Sequence, residues 1–415
     1  MKRVRTSPPS GQEEDVIVDC YANKNIADVS GFTAATKVNI TLCHNVVDVS
    51  YLKDAKTVIL DFCKGIDNVS ALGRVKNLSL KHCPNVIDVS ALGGVEYLNL
   101  SYTNVIDVSA LGGVKHLNLR GCKSVTDVSA LGGVTTLNLS QTGVTDVSAL
   151  GGVTTLNLSQ TGVTDVSALG KVENLDISYS PGVVDVSALG GVSKLNINDC
   201  YRVKDVSALG GVRELSISNC FDVTDVSALG GVTKLDCSDC PRITDVSALG
   251  GATTLNLHAC KGVTDVSKLG RVKTLILSLT GVVDVSALGG VTTLDISHTA
   301  VVDVSALGRV KDLSLNYCPN VTDVSALGGV ENLRLCHCLG VVDVSELGGV
   351  KGLVLQGCTG VVDVSELGNV HSLDLRDCTG VTDVSKLGNV HSLDIEGCTG
   401  VTDTSMLGGV KYLEM

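Results

Sequence analysis

The stretch VKGLVLQGCTGVVDVSELGN, residues 350–369, decides the fold. Its apolar positions fall at Val350, Leu353, Leu355, Cys358, Val361, Val364 and Leu367, followed by Gly368. Leu353 and Leu355 alternate around Val354, the period-two signature of a strand of about five residues. The remaining VVDVSELG is too short for a stable helix and ends on glycine, so it predicts a turn or a short 3₁₀ segment. A unit of one strand and one turn buries a single face, and it needs neighbours on both sides to form a core.

Those neighbours run through the chain. Aligned on Asp-Val-Ser, anchors recur from Asp28, Asp48 and Asn68 to Asp383 and Asp403, twenty in all, separated by fourteen intervals of 20 residues and five of 19. Residues 134–152 and 153–171 differ at their last position alone, Gly152 against Lys171. A length of 415 residues would suggest several globular domains, but uninterrupted repetition replaces that reading with a single solenoid over residues 16–415. Residues 1–15, polar and Pro-containing, read as a disordered tail, and Cys20 to Ile26 as an irregular first loop. Trp is absent and 3% of residues are aromatic, so the core must be layered from Val, Leu, Ile and Ala.

The pattern LxxLxLxxCxxVxDVSxL resembles the leucine-rich repeat, with Cys where the commonest form has Asn, as in the cysteine-containing subclass. Its Val-x-Asp-Val-x-x-Leu half resembles the internalin-like and phosphatase-regulator-like short repeats. The resemblance covers residues 16–415 and implies an α/β-type, mostly β solenoid. A parallel sheet would line the concave face, with turns or short 3₁₀ segments on the convex one. Units of 19 or 20 residues sit at or below the usual range of about 20–29, and the missing residues come from the outer side, which predicts gentle curvature. Twenty strands at about 4.8 Å would give a body roughly 95 Å long.

Loop length and side chain change together. The 19-residue units carry Thr103, Thr142, Thr161, Thr280 and Thr299 at the inward turn position, one residue from the next Val. The 20-residue units carry Cys there, or Ser180 once, with one more loop residue. We expect the inward hydroxyl or thiol to close the turn by bonding to backbone, in two geometries. The recurring Asp of Asp-Val-Ser reads as a cap that accepts backbone N–H bonds, with a calcium ladder as the alternative reading.

Sixteen cysteines suggest a disulfide framework until their spacing is counted. Most fall once per repeat, where stacked side chains point the same way, and MKRVRTSPPSGQEED contains no apolar h-region. Reduced, buried thiols in a cytoplasmic protein are therefore expected. The pairs Cys237 with Cys240 and Cys336 with Cys338 have metal-ligand spacing, but strand alternation makes Cys237, Cys240 and Cys338 packing residues and turns Cys336 outward. His371 and His391 lie in copies of NVHSLD; a surface zinc site is one reading, and duplication of one unit explains the pair more simply.

A net charge of −12 argues against a nucleic-acid partner, and no apolar run approaches a membrane span. No GxSxG, HExxH or GxxxxGK[ST] motif occurs, so neither an enzyme nor a cofactor is expected. Tyr317, Arg334, His337, Arg376 and Asp377 place aromatic and charged groups on the concave face, and Phe62, His82 and Tyr102 form a second group there. The resemblance implies non-catalytic protein binding through that face. Two alternatives stay open: a structural solenoid that self-associates through its open ends, and an ordered Thr/Asn/Ser face that binds ice or glycan.

Overall fold

The computed structural model describes residues 3–5, 16–23 and 25–415. They form two compact units, residues 1–203 and 204–415. In the first, ten three-residue strands from Ile17–Asp19 to Lys194–Asn196 pair in parallel, each coil adding one strand. In the second, eleven such strands run from Glu214–Ser216 to Tyr412–Glu414. The backbone of Arg3–Arg5 lies antiparallel to Ile17–Asp19. The other residues of the expected N-terminal tail lie outside the described residues.

Pairing is in register, so like meets like: Leu78 faces Leu98, and Leu333 faces Leu353. The two leucines of each strand motif point inward with the valines and the Leu of the following turn, and nearly all are buried. The turn is a 3₁₀ segment beginning at Ser in nearly every coil, for example Ser90–Gly94 and Ser345–Gly349. It is tight because the coils are close: a Cβ on Gly93 or Gly112 would collide with the carbonyl oxygen of Ala110 or Ala130 in the next coil. Asp-Val-Ser caps it as expected. From Asp28 to Asp403 the carboxylate accepts the N–H of the Ser two residues on, and Asn68 does the same with its amide oxygen.

The sequence does not disclose a second turn, placed just before the inward Cys or Thr. The residue there adopts a left-handed conformation in every coil, with φ between 55° and 63° for seventeen non-glycine residues and 71–74° for Gly121, Gly357 and Gly397. Such a backbone costs a residue with a Cβ about 1–2 kcal/mol. It is held because it aims the N–H at the next coil: Phe62 N–H donates to Lys81 O at 2.7 Å, and His337 N–H to Gln356 O at 2.7 Å. Even Leu42 and Leu279 occupy this position.

The inward hydroxyl and thiol do bond to backbone, but to different coils. Thr142 Oγ donates to Leu139 O at 2.6 Å, closing its own turn. The thiols instead reach back one coil, Cys358 Sγ donating to Leu335 O at 2.9 Å and Cys83 Sγ to Leu60 O at 3.1 Å. The expectation that the thiol closes its own turn is thus corrected, because the longer C–S bond carries it across the coil spacing. Where a Cys coil follows a Thr coil, Thr103 and Cys122 share the Leu100 carbonyl at 2.6 and 3.1 Å. The first loop is also regular, against expectation. Asn23 takes the cysteine position: its N–H donates to Cys20 O and its carbonyl accepts Ile26 N–H, as those of Cys43 do with Ile40 O and Val46 N–H in the next coil.

Ser180 is the exception. It sits in the longer turn, with Val183 N–H donating to its carbonyl at 3.1 Å, yet its hydroxyl is fully buried and has no partner. A thiol there would reach Leu158 O, already shared by Thr161 at 2.6 Å, in the manner of Cys122. Ser180→Cys should therefore raise stability by about 1 kcal/mol, read as a higher urea midpoint with an unchanged slope. A lower midpoint would contradict this assignment of the thiol's role.

Candidate functional site

Outside the core, the sheet presents four columns of side chains per unit. The first and second columns flank the first core leucine, the third follows the second leucine, and the fourth is the left-handed residue. Much of what looks variable in them is structural. In the second column every Asn and Asp from Asn39 onward ends its strand by accepting the N–H two residues ahead, as Asn138 does from Ser140 at 2.9 Å and Asp374 from Arg376 at 3.0 Å.

At two of the coils that lack such a residue, a neighbouring coil supplies the acceptor. Lys81 N–H, two residues past Ser79, is taken by Asp61 Oδ1 at 3.0 Å. Cys336 N–H, two residues past Arg334, is taken by Asn316 Oδ1 at 2.9 Å. Arg334 is thereby released from the column's structural duty. It is exposed, and no carboxylate among the described residues pairs with it.

The fourth column brings together the aromatic residues singled out from sequence. Phe62, His82 and Tyr102 stack with ring centroids 4.5 Å apart at each step. Tyr317 stacks on His337 at 4.7 Å and on His298 at 4.5 Å. His298 was missed because its chemistry is visible only once the left-handed column is known. Each stack ends where the next coil has glycine: a Cβ on Gly121 or Gly357 would enter the ring of Tyr102 or His337. Stacked this way, inner rings offer their edges rather than their faces.

Arg376 behaves differently from Arg334. Its Nη2 lies 2.6 Å from Asp374 Oδ2, and its Nε is 3.3 Å from Asp394 Oδ2, so it is locked between two coils. Asp377 occupies the left-handed column and leans over Gly397. The group near Arg334 is thus Tyr317, His337 and Cys336, while Arg376 belongs to an ion-paired group with Asp374 and Asp394 farther along the second unit, with Asp377 beside it in sequence. The Phe62, His82 and Tyr102 stack lies in the first unit.

The remaining candidates are packing features. Cys237, Cys240 and Cys338 are fully buried, Cys336 is half-buried, and no disulfide joins any of the sixteen thiols. Burial pushes Cys83 and Cys358 up to about 12, so they stay protonated and unreactive. His371 and His391 stack at 4.5 Å. Among the described residues no group of three or more His, Cys, Asp or Glu side chains is placed to hold a metal ion, and no helix is long and apolar enough to cross a membrane.

No family model matches the chain, and no curated protein matches it. Among solved structures it is similar to the functional domain of InlJ from Listeria monocytogenes, which is described as including a cysteine ladder. The two are 22% identical with a TM-score of 0.53, over 72% of this chain and 73% of that one. It is also similar to a chain of the TLR13–ssRNA13 complex, 17% identical with a TM-score of 0.52, over 92% of this chain and 66% of that one. At these identities the likeness bears on the fold alone.

The capping carboxylates titrate with a definite sign. The backbone N–H and hydroxyl of Ser129 hold Asp127 below the ordinary carboxylate range, and Ser148 does the same to Asp146. A group lowered in the folded state stabilises above its unfolded value and loses that contribution as pH falls through the folded one. The urea midpoint should therefore drop below about pH 4. The double variant Asp127→Asn, Asp146→Asn, which copies Asn68, should keep its neutral midpoint and show a shallower acid loss. An acid slope identical to wild type would remove the capping carboxylates as its cause.

Proposed function

Because the chain has the leucine-rich-repeat fold, we propose that it works by non-catalytic binding of a partner protein, through the open sheet face of residues 204–415 around Arg334. The observation that carries this reading is the release of Arg334. In a column where most positions hold an Asn or Asp that ends the strand, this position holds an exposed, unpaired guanidinium, and Asn316 has taken over the structural bond. The strand-ending bond at that position is supplied by a second residue in another coil. An arrangement of that kind is expected where the side chain serves something outside the chain.

The surroundings suit a protein. Tyr317 is 46% exposed and fixed by rings on both sides, so it presents a rigid edge at little entropic cost. Tyr and Arg dominate binding hot spots, and a lone guanidinium calls for a carboxylate on the partner. The neighbour in the TLR13–ssRNA13 complex is bound to an RNA, whereas a net charge of −12 here repels phosphate. Asp374, Asp394 and Glu396 on the same face add to that repulsion.

The experiment is capture by immobilised wild-type chain against an Arg334→Glu, Tyr317→Ala variant, with retained proteins identified by mass spectrometry and both baits matched in melting temperature. A protein retained by the wild type and lost from the variant is expected, with binding restored by an acidic-to-basic change on that protein. Equal retention by both baits would move the binding surface elsewhere.

A further inference from the structure

A groove of about 500 Å³ runs along the sheet face of the first unit, from Thr57 to Asn138. No carboxylate, ammonium or guanidinium lines it, and several charged groups beside it are engaged within the protein. Glu96 pairs with Lys76 and Lys115 at 3.2 Å each. Asp61 accepts from Ser79 and from the Lys81 N–H, and Arg120 Nε donates to Tyr102 Oη at 2.9 Å. What the groove offers a ligand is hydrogen bonding without net charge.

Two features give it direction. Asn99, Asn118 and Asn138 follow one another in the second column, and each uses Oδ1 to accept a backbone N–H, from Ser101, Arg120 and Ser140 at 2.9–3.0 Å. That bond fixes which way each amide points, so three Nδ2 groups stand in a row, one coil apart, with their donors unused. The row stops at Asn157, whose Nδ2 donates to Asp176 at 3.2 Å. The second feature is Tyr97, 45% exposed. One face of its ring is covered by His116 at 4.3 Å. The preceding residue in its column is the short Asn77, whose amide is turned to Thr57 Oγ at 3.1 Å, and no ring covers the face on that side.

We propose that this groove binds a neutral oligosaccharide, with a sugar ring against the open side of Tyr97 and successive hydroxyl or ring oxygens on the amides of Asn99, Asn118 and Asn138. A sugar presents an apolar C–H face for an aromatic ring and, beside it, oxygens that accept hydrogen bonds. Donors spaced by the coil repeat of about 4.8 Å meet a ligand that is itself a chain of similar units. An extended peptide fits less well. Its affinity for a sheet comes from backbone pairing at an open edge, and here the backbone is consumed by neighbouring coils. Anionic ligands are disfavoured because no ammonium or guanidinium is among the groove's own lining residues.

The site is separate from the Arg334 surface, so the two readings fail independently. The probes are cellohexaose, laminarihexaose, chitohexaose and maltohexaose, titrated calorimetrically into the full chain, with a heparin hexasaccharide as the charged comparison. In the triple variant Asn99→Asp, Asn118→Asp, Asn138→Asp each side chain keeps the oxygen that ends its strand, as Asp176 and Asp236 do naturally, while the donors are removed. At least one neutral hexasaccharide should bind the wild type and lose affinity roughly tenfold or more in this variant and in Tyr97→Ala. Its affinity should stay unchanged in Arg334→Glu. Failure of all four to bind, unchanged affinity in the triple variant or in Tyr97→Ala, or equal binding of the heparin hexasaccharide at this groove overturns the proposal.

Discussion

Each coil must pass its backbone hydrogen bonds to the next at a single strand spacing, and the other features follow from that constraint. A three-residue strand satisfies only its own groups, so the turns on either side must present theirs in the same direction. The left-handed residue before the inward Cys or Thr does this at one corner, donating to the next coil. Asp-Val-Ser shapes the other corner within its own coil, where a carboxylate takes the N–H that would otherwise open the 3₁₀ segment. From Leu72 onward glycine after the turn leucine is the steric counterpart, since a Cβ there would meet the carbonyl oxygen of the next coil. The stability of the stack is thus shared by three small devices repeated in each coil, none of which holds a coil alone.

Seen this way, the two loop lengths are two solutions to one carbonyl. The second core leucine's C=O points inward and accepts the N–H of the inward Cys or Thr, which leaves its second lone pair in an apolar layer. In the short coil Thr meets it from within. In the long coil a thiol from the following coil meets it where that coil also carries Cys, as at Leu335. Burial raises those thiols well above their ordinary range, chiefly by desolvation, so they serve as weak donors and packing groups and resist becoming nucleophiles. Ser180 has the long turn without the reach of sulfur, which is why its hydroxyl has no partner.

The strand, the 3₁₀ turn, the Asp cap and the inward set of Leu, Val and Cys were legible because each depends on local spacing or on side-chain chemistry within two residues. The left-handed column was not. Left-handed positions are recognised by Gly, Asn or Asp, and here Phe62, Tyr102, Leu42 and Leu279 occupy one because bonds between coils outweigh local preference. The aromatic candidates were therefore found as residue types but not as stacks, and His298 was passed over. Arg376 and Arg334 look alike in sequence. Only the positions of Asp374 and Asp394 show that one is a clamp between coils and the other is free.

In a repeat protein, then, a distinctive residue is weak evidence of function until its structural duties are subtracted. Asn138 and Arg334 occupy the same column. The first fulfils its strand-ending bond through one atom and keeps the other end of its amide in reserve, whereas the second has handed that bond to Asn316 and is wholly available. Both have hydrogen-bonding capacity left over, in different amounts and of different charge. That remainder is what a ligand can address, because donors already committed to the stack are withdrawn only by unfolding it. Near-identity among coils is no obstacle to recognition on this view, since repetition multiplies whatever is left over and lays it out at a fixed spacing.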